Sequence, residues 1–160
     1  MTSVATTPRS LDPDIATGVA QFLGPVVIDL TALAVNGKQA HWHLRGMSFI
    51  AVHELIDSVV AHAREWADLA AERVIALGLP IDARLQTVAA KTTTAKMAAG
   101  FQQVEATIAE LVAQIDATLA ALRTAVDELA ELDTVSQDVV VEISRGLSTD
   151  RWYLAAHVEK

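Results

Sequence analysis

The apolar residues of this chain recur at helical spacing. Val104, Ile108, Leu111, Ile115, Leu119, Leu122, Val126 and Leu129 step by three or four, with Gln, Glu, Asp and Thr between them. This seam predicts a helix from Phe101 to Leu132. A second seam, Val139, Ile143, Leu147 and Leu154, follows a start signal in which Thr134 caps with Gln137 and Asp133 adds negative charge at the N-terminus. Upstream, Ile56, Val59, Val60, Ala63, Ala67, Ala70, Val74 and Leu77 predict a helix from Phe49 to Leu77, ended by Gly78-Leu79-Pro80. Ile15 to Leu44 has the same period, and we read it as one long helix kinked at Gly24-Pro25, with a turn signal at Asn36-Gly37. Short connections join the first helix to the second and the third to the fourth. About 20 residues, Ile81 to Gly100, lie between the second and third, with a short helix expected around Ala83 to Ala90. The pattern predicts an all-α four-helix bundle with one long crossover.

Composition narrows the picture. The chain has 160 residues, one domain by length, and 52% of them are hydrophobic, which excludes a disordered linker. Residues 1–12 are expected to form a short flexible tail and 13–160 the bundle. Cysteine is absent, so disulfides, Cys-based metal sites and thiol nucleophiles are excluded. The formal charge of −8 disfavours phosphate backbones as partners. The longest charge-free apolar run, Ile15 to Ile28, is shorter than a bilayer requires, so no membrane partner is expected. The N-terminus lacks the pattern of a secretion signal, and a cytoplasmic location is expected.

The candidate chemistry lies in the first half. Of the five histidines, His41, His43, His53 and His62 sit close together in sequence, among carboxylates; the fifth is His157. On a helix, His53, Asp57, Asp68 and Glu72 fall within an arc of about 100°. Imidazole with carboxylate suits zinc, manganese or iron. One copy cannot close a single site from all four, because His53/Asp57 and Asp68/Glu72 are roughly 22 Å apart along the helix. An antiparallel second copy, related by a two-fold axis near residue 62 or 63, would resolve the mismatch and create two identical intersubunit sites. His41 would add a ligand from the preceding helix. Asp68 and Glu72 can equally be a solvated face. His43 and His62 point away from the stripe and read as structural, and His157 as solvated. Trp42, Trp66 and Trp152 read as core or interface anchors, with Trp42 beside the site. His53-Glu54-Leu55-Ile56-Asp57 is also close to the zinc-protease helix pattern, with Asp in the second ligand place.

Several segments resemble the Dps family of dodecameric mini-ferritins. They are Lys38-Gln39-Ala40-His41-Trp42, Arg45-Gly46, Phe49 through Asp57, and Asp68-Leu69-Ala70-Ala71-Glu72-Arg73. Asp133 to Asp138 and Trp152-Tyr153 also look familial. The spacing from His41 to His53, Asp57, Asp68 and Glu72 matches the family's ferroxidase pattern, and the likeness spans residues 12 to 160. The resemblance implies a ferritin-like bundle in a twelve-subunit shell. It implies two iron ions per site, held by His41, His53 and Asp57 of one subunit and Asp68 and Glu72 of its mate. It implies oxidation of ferrous iron, preferentially by hydrogen peroxide rather than dioxygen, and storage of the ferric mineral. Asp133, Asp138 and Glu142 are candidates for a three-fold iron pore, or else complement a helix N-terminus. Many members bind DNA through Lys-rich tails. Here Met1 to Asp14 holds one base, Arg9, and direct DNA binding is not expected. Two other function classes compete with the ferroxidase: a metal-dependent hydrolase of amides or esters at the same site, and a purely structural helical oligomer.

Overall fold

The computed structural model describes residues 12–159, so the expected N-terminal tail lies outside the described residues except for Asp12. Four long helices form the bundle: α1 (Pro13–His43), α2 (Phe49–Ala76), α4 (Val104–Leu129) and α5 (Thr134–Ala156). The crossover carries the short α3 (Leu85–Lys91), slightly later than the Ala83 to Ala90 expected. Two-residue strands, β1 (Leu44–Arg45) and β2 (Gln102–Gln103), pair in parallel.

α1 starts where Asp12 Oδ1 accepts from the Asp14 amide at 2.8 Å, with Pro13 at the first helical position. The helix runs unbroken through Gly24-Pro25. Pro25 faces outward, so the Gln21 carbonyl that it deprives of a donor lies on the exposed side, within reach of water. Asn36-Gly37 does not turn either. Asn36 donates to Gln114 Oε1 of α4 at 2.9 Å, and Gly37 is buried against α2. Among the described residues α1 is the one helix long and apolar enough to cross a membrane, yet 56% of its most apolar window is buried inside the bundle. Leu23, Val26, Leu30 and Leu33 are fully covered there by the other helices.

α2 ends with Gly78 at φ 85°, its amide bonded to the Ile75 carbonyl and that of Leu79 to the Val74 carbonyl. This is the Gly-dependent closure that the sequence signals. α4 starts at Val104, three residues later than the seam predicts. Gly100 turns the chain at φ 82°, and Gln102 and Gln103 pair with Leu44 and Arg45, so Phe101 is outside the helix with the Arg45 guanidinium over its ring. α5 is capped by Asp133, not Thr134: the Asp133 carboxylate accepts from the Ser136 amide at 3.0 Å, and Gln137 instead reaches the Val126 carbonyl. The α4 seam is buried except at Leu119 and Val126, which are half-buried.

The crossover is tied to α1 by Asp29, which is 1% exposed. Its carboxylate accepts from Thr92 Oγ1 at 2.8 Å, the Thr93 amide at 2.8 Å and Thr93 Oγ1 at 2.5 Å. A buried carboxylate of this kind is tolerable only with such a donor set.

Candidate metal centre

The tight connection at residues 44–48 returns the chain so that α2 lies antiparallel to α1. Three pairs mark the register: His41 with His53, Lys38 with Asp57, and Gly37 with Val60. Gly37 allows the close approach. A Cβ built there would come within 2.6 Å of the Val60 Cγ2 methyl, which is buried and has little room to yield.

At this crossing the His41 and His53 rings stack, with centroids 3.6 Å apart and planes 22° from parallel. His41 Nδ1 is 3.0 Å from the His53 carbonyl oxygen, and His53 Nδ1 is 3.1 Å from that of His41. A carbonyl can only accept, so each Nδ1 carries a proton and donates. Whenever a ring carries only that one proton, Nε2 is its unprotonated nitrogen. Histidines that bind metals are commonly fixed in this way by a bond from the other ring nitrogen. The His41 carbonyl belongs to the last turn of α1, where no intrahelical donor remains, so the His53 bond also closes the helix end.

Asp57 lies one turn beyond His53. Its carboxylate is 3.5 Å from His41 Nδ1 and forms an ion pair with Lys38 Nζ. The Lys38 hydrogen bond holds the Asp57 carboxyl below the usual carboxylate range. His41 is buried, His53 half-buried and Asp57 exposed, so the group opens on the surface of the α1–α2 face. Asp68 and Glu72 are exposed farther along α2 and do not join it. Among the described residues of one chain, no three His, Asp or Glu side chains form a metal cluster.

The comparisons with known proteins bear on this half-site. A family model for the ferritin-like domain matches residues 26–160. The DNA protection during starvation protein of Agrobacterium fabrum is 30% identical over 155 residues, covering 96% of each chain. The chain belongs to the Dps family of ferritin-like proteins. Among solved structures, the Dps of Microbacterium arborescens in its high iron form is 56% identical, with a TM-score of 0.92 over 96% of this chain and 100% of that one. A Mycobacterium smegmatis Dps is 29% identical, with a TM-score of 0.90 over 98% of this chain and 96% of that one.

The other residues singled out in this Dps-family chain have their own partners. His43 donates from Nδ1 to the Gln39 carbonyl at 2.9 Å, a local bond within α1. His62 faces α5, where Nδ1 is 3.0 Å from Asp150. Burial pushes the Asp150 carboxyl up, and the His62 hydrogen bond opposes that rise only in part. His157 is exposed. Trp42 and Trp152 are exposed in the single chain and not core anchors, whereas Trp66 is half-buried against His62 and across Gly146. Glu54, in the general-base place of the protease-like pattern, faces solvent.

Of the pore candidates, Asp133 is engaged as a cap and by Arg73 at 2.6 Å. Burial would raise its carboxyl, but the bonds from Ser136 and Arg73 outweigh that and leave it below the usual range. This is the helix N-terminus reading of Asp133. Asp138 and Glu142 are exposed. Sequence reasoning assigned no role to Lys38, although it lies three residues before His41 and so on the same side of α1.

Proposed function

We propose that this protein is a Dps-type ferroxidase and iron store. Ferrous iron, the substrate, binds between two chains. His41, His53 and Asp57 come from one subunit, and the partner subunit's Asp68 and Glu72 complete the set. Each chain thus offers one half-set near each end of α2, and a two-fold pairing closes two sites. The observation that carries the reading is the reciprocal bonding of His41 and His53. It leaves two Nε2 lone pairs available beside an ionised carboxylate, a borderline-to-hard donor set suited to ferrous and ferric iron.

With hydrogen peroxide as oxidant, two ferrous ions each give up one electron. Peroxide takes both, its O–O bond breaks, and with two protons it leaves as two waters. Consuming iron and peroxide as a two-electron pair denies the one-electron reaction that makes hydroxyl radical. The ferric product then mineralises inside a twelve-subunit shell, whose acidic composition attracts cations. Exposed Asp138 and Glu142 at the start of α5 supply an entry surface. Protection of DNA arises here from this chemistry rather than from contact. The chain carries net charge −8, and Arg9 is the one base in Met1 to Asp14.

The test is anaerobic addition of Fe(II) to the iron-free assembly, followed by peroxide, with ferric absorbance as the readout. The wild type is expected to oxidise about two ferrous ions per peroxide. An Asp68→Ala, Glu72→Ala double variant should keep its assembly mass and lose the fast phase. Fast oxidation that survives in this variant overturns the intersubunit site, and turnover of amide or ester substrates with Zn²⁺ but no iron oxidation favours the hydrolase.

A further inference from the structure

Two neighbouring crossings hold α2 against α5 near the middle of both helices. His62 of α2 donates from Nδ1 to the Asp150 carboxylate of α5, at 3.1 Å to Oδ1 and 3.0 Å to Oδ2. One turn along, the Trp66 indole lies 5.3 Å from the His62 ring and covers Gly146, where a Cβ would come within 2.3 Å of Trp66 Cζ2. The Asp150 side chain is 4% exposed and that of His62 46%, so the carboxylate is sealed in while the imidazole reaches water. The buried Asp29 carboxylate receives three bonds, all from groups that do not titrate. Among the described residues Asp150 has one donor, and that donor is an imidazole.

We propose that the His62–Asp150 pair is a pH-responsive latch between α2 and α5, closed while the imidazole carries its charge and loosened as pH rises. Imidazole is the side chain that gains and loses charge near neutral pH. While it is charged, the buried carboxylate has a cation in contact. Once the charge is lost, a single neutral donor is left to hold a buried anion, which costs stability. Burial acts in the same direction. It raises the Asp150 carboxyl, so the folded chain holds that proton more readily than the unfolded one, and the associated stability declines as pH rises. Glu142, Arg145 and Tyr153 of α5 line the groove beside His62, and His157 lines its continuation past Tyr153. Arg64 and Glu65 of α2 are exposed, and Arg151 turns to Asp116 of α4. Among all these groups the Asp150 carboxyl responds to His62. The latch stands apart from the iron chemistry and does not depend on it.

Amide hydrogen exchange of the full, iron-free protein between about pH 6 and 9 tests this, with rates corrected for the intrinsic pH dependence of exchange. Wild type, His62→Gln and Asp150→Asn are compared, and native mass checks the assembly of each. In wild type, protection of residues 59–66 and 146–154 is expected to fall about tenfold across the range, the equivalent of one pKa unit. The Arg73–Asp133 end of the same seam supplies an internal control. Its carboxyl is held below the usual range, so protection there should stay constant. His62→Gln keeps an uncharged donor and should give a flat profile at the low, alkaline level of wild type. Asp150→Asn removes the buried charge and should be flat as well. A flat wild-type profile overturns the latch without reference to either variant. A fall that persists unchanged in either variant assigns the effect to another group and overturns it too.

Discussion

His41 and His53 hold each other: each ring donates from Nδ1 to the other's backbone carbonyl, at 3.0 and 3.1 Å, and the two rings stack. The arrangement joins the last turn of one helix to the first turns of the next. It also fixes the tautomer of both imidazoles by means of groups that do not titrate. On the proposed reading the half-site is therefore built in advance of the ion, which lowers the ordering cost of capturing it.

Loss of either member should damage both halves of the arrangement. In His53→Ala the His41 carbonyl loses its donor and His41 loses its stacking partner. The rate of ferrous oxidation is expected to fall at least about tenfold, with the thermal midpoint lowered. Stopped-flow ferric absorbance and differential scanning calorimetry measure the two effects. Wild-type oxidation rates in this variant would remove His53 from the ligand set.

Gly37→Ala tests the closeness of the two helices. The added methyl would meet Val60 Cγ2 at 2.6 Å, in a place where Val60 is 2% exposed. Overpacking of this kind costs about 1–3 kcal/mol, outweighing the gain of up to about 1 kcal/mol from replacing Gly with Ala in a helix. Chemical denaturation should show the net loss. A Gly37→Ala, Val60→Ala double variant makes room for the methyl and should relieve the clash part of the loss, while leaving its own deficit from the lost valine side chain.

Asp133→Ala removes the α5 cap and the Arg73 partner together, and should cost about 1–2 kcal/mol near neutral pH. Because the folded carboxyl is held below its unfolded value of about 3.9, its stabilisation is present above that value. The contribution is lost as the pH falls through the lower folded value. The stability gap between wild type and Asp133→Ala is thus expected to be widest near neutrality and to close below about pH 4. Denaturant midpoints at several pH values measure it. A gap that persists at low pH would assign the effect to packing rather than to charge.

Asp29→Ala should loosen the crossover. Its loss removes the shared acceptor of the Thr93 amide and of the Thr92 and Thr93 hydroxyls just after α3, and so the link that ties this segment to α1. Limited proteolysis is expected to cut the variant within residues 81–100 while the four long helices stay protected. Asp29→Asn, which keeps an acceptor oxygen, should be cut more slowly.

The bundle was legible because its information is local and repeated. Seams such as Val104 to Leu129 and the Gly78-Leu79-Pro80 stop carry their meaning at whatever place they occupy in space. The candidate donors were legible for a similar reason, since helical periodicity alone puts His53, Asp57, Asp68 and Glu72 on one stripe. Local signals failed where a distant residue outweighed them. Asn36-Gly37 stays helical because Asn36 bonds to Gln114 and Gly37 fits against Val60. Phe101 leaves its helix because its neighbours pair with Leu44 and Arg45.

From residues alone came the class of fold, the long crossover and a donor set of imidazole and carboxylate, all properties of spacing along one helix and of side-chain chemistry. The antiparallel crossing decided the rest: which nitrogen of each histidine donates to the neighbouring helix, and that Lys38 rather than another cation meets Asp57. These depend on how two helices are placed side by side, and that placement is a balance of packing at Gly37 and of the short turn at 44–48. No periodicity within a single helix encodes it.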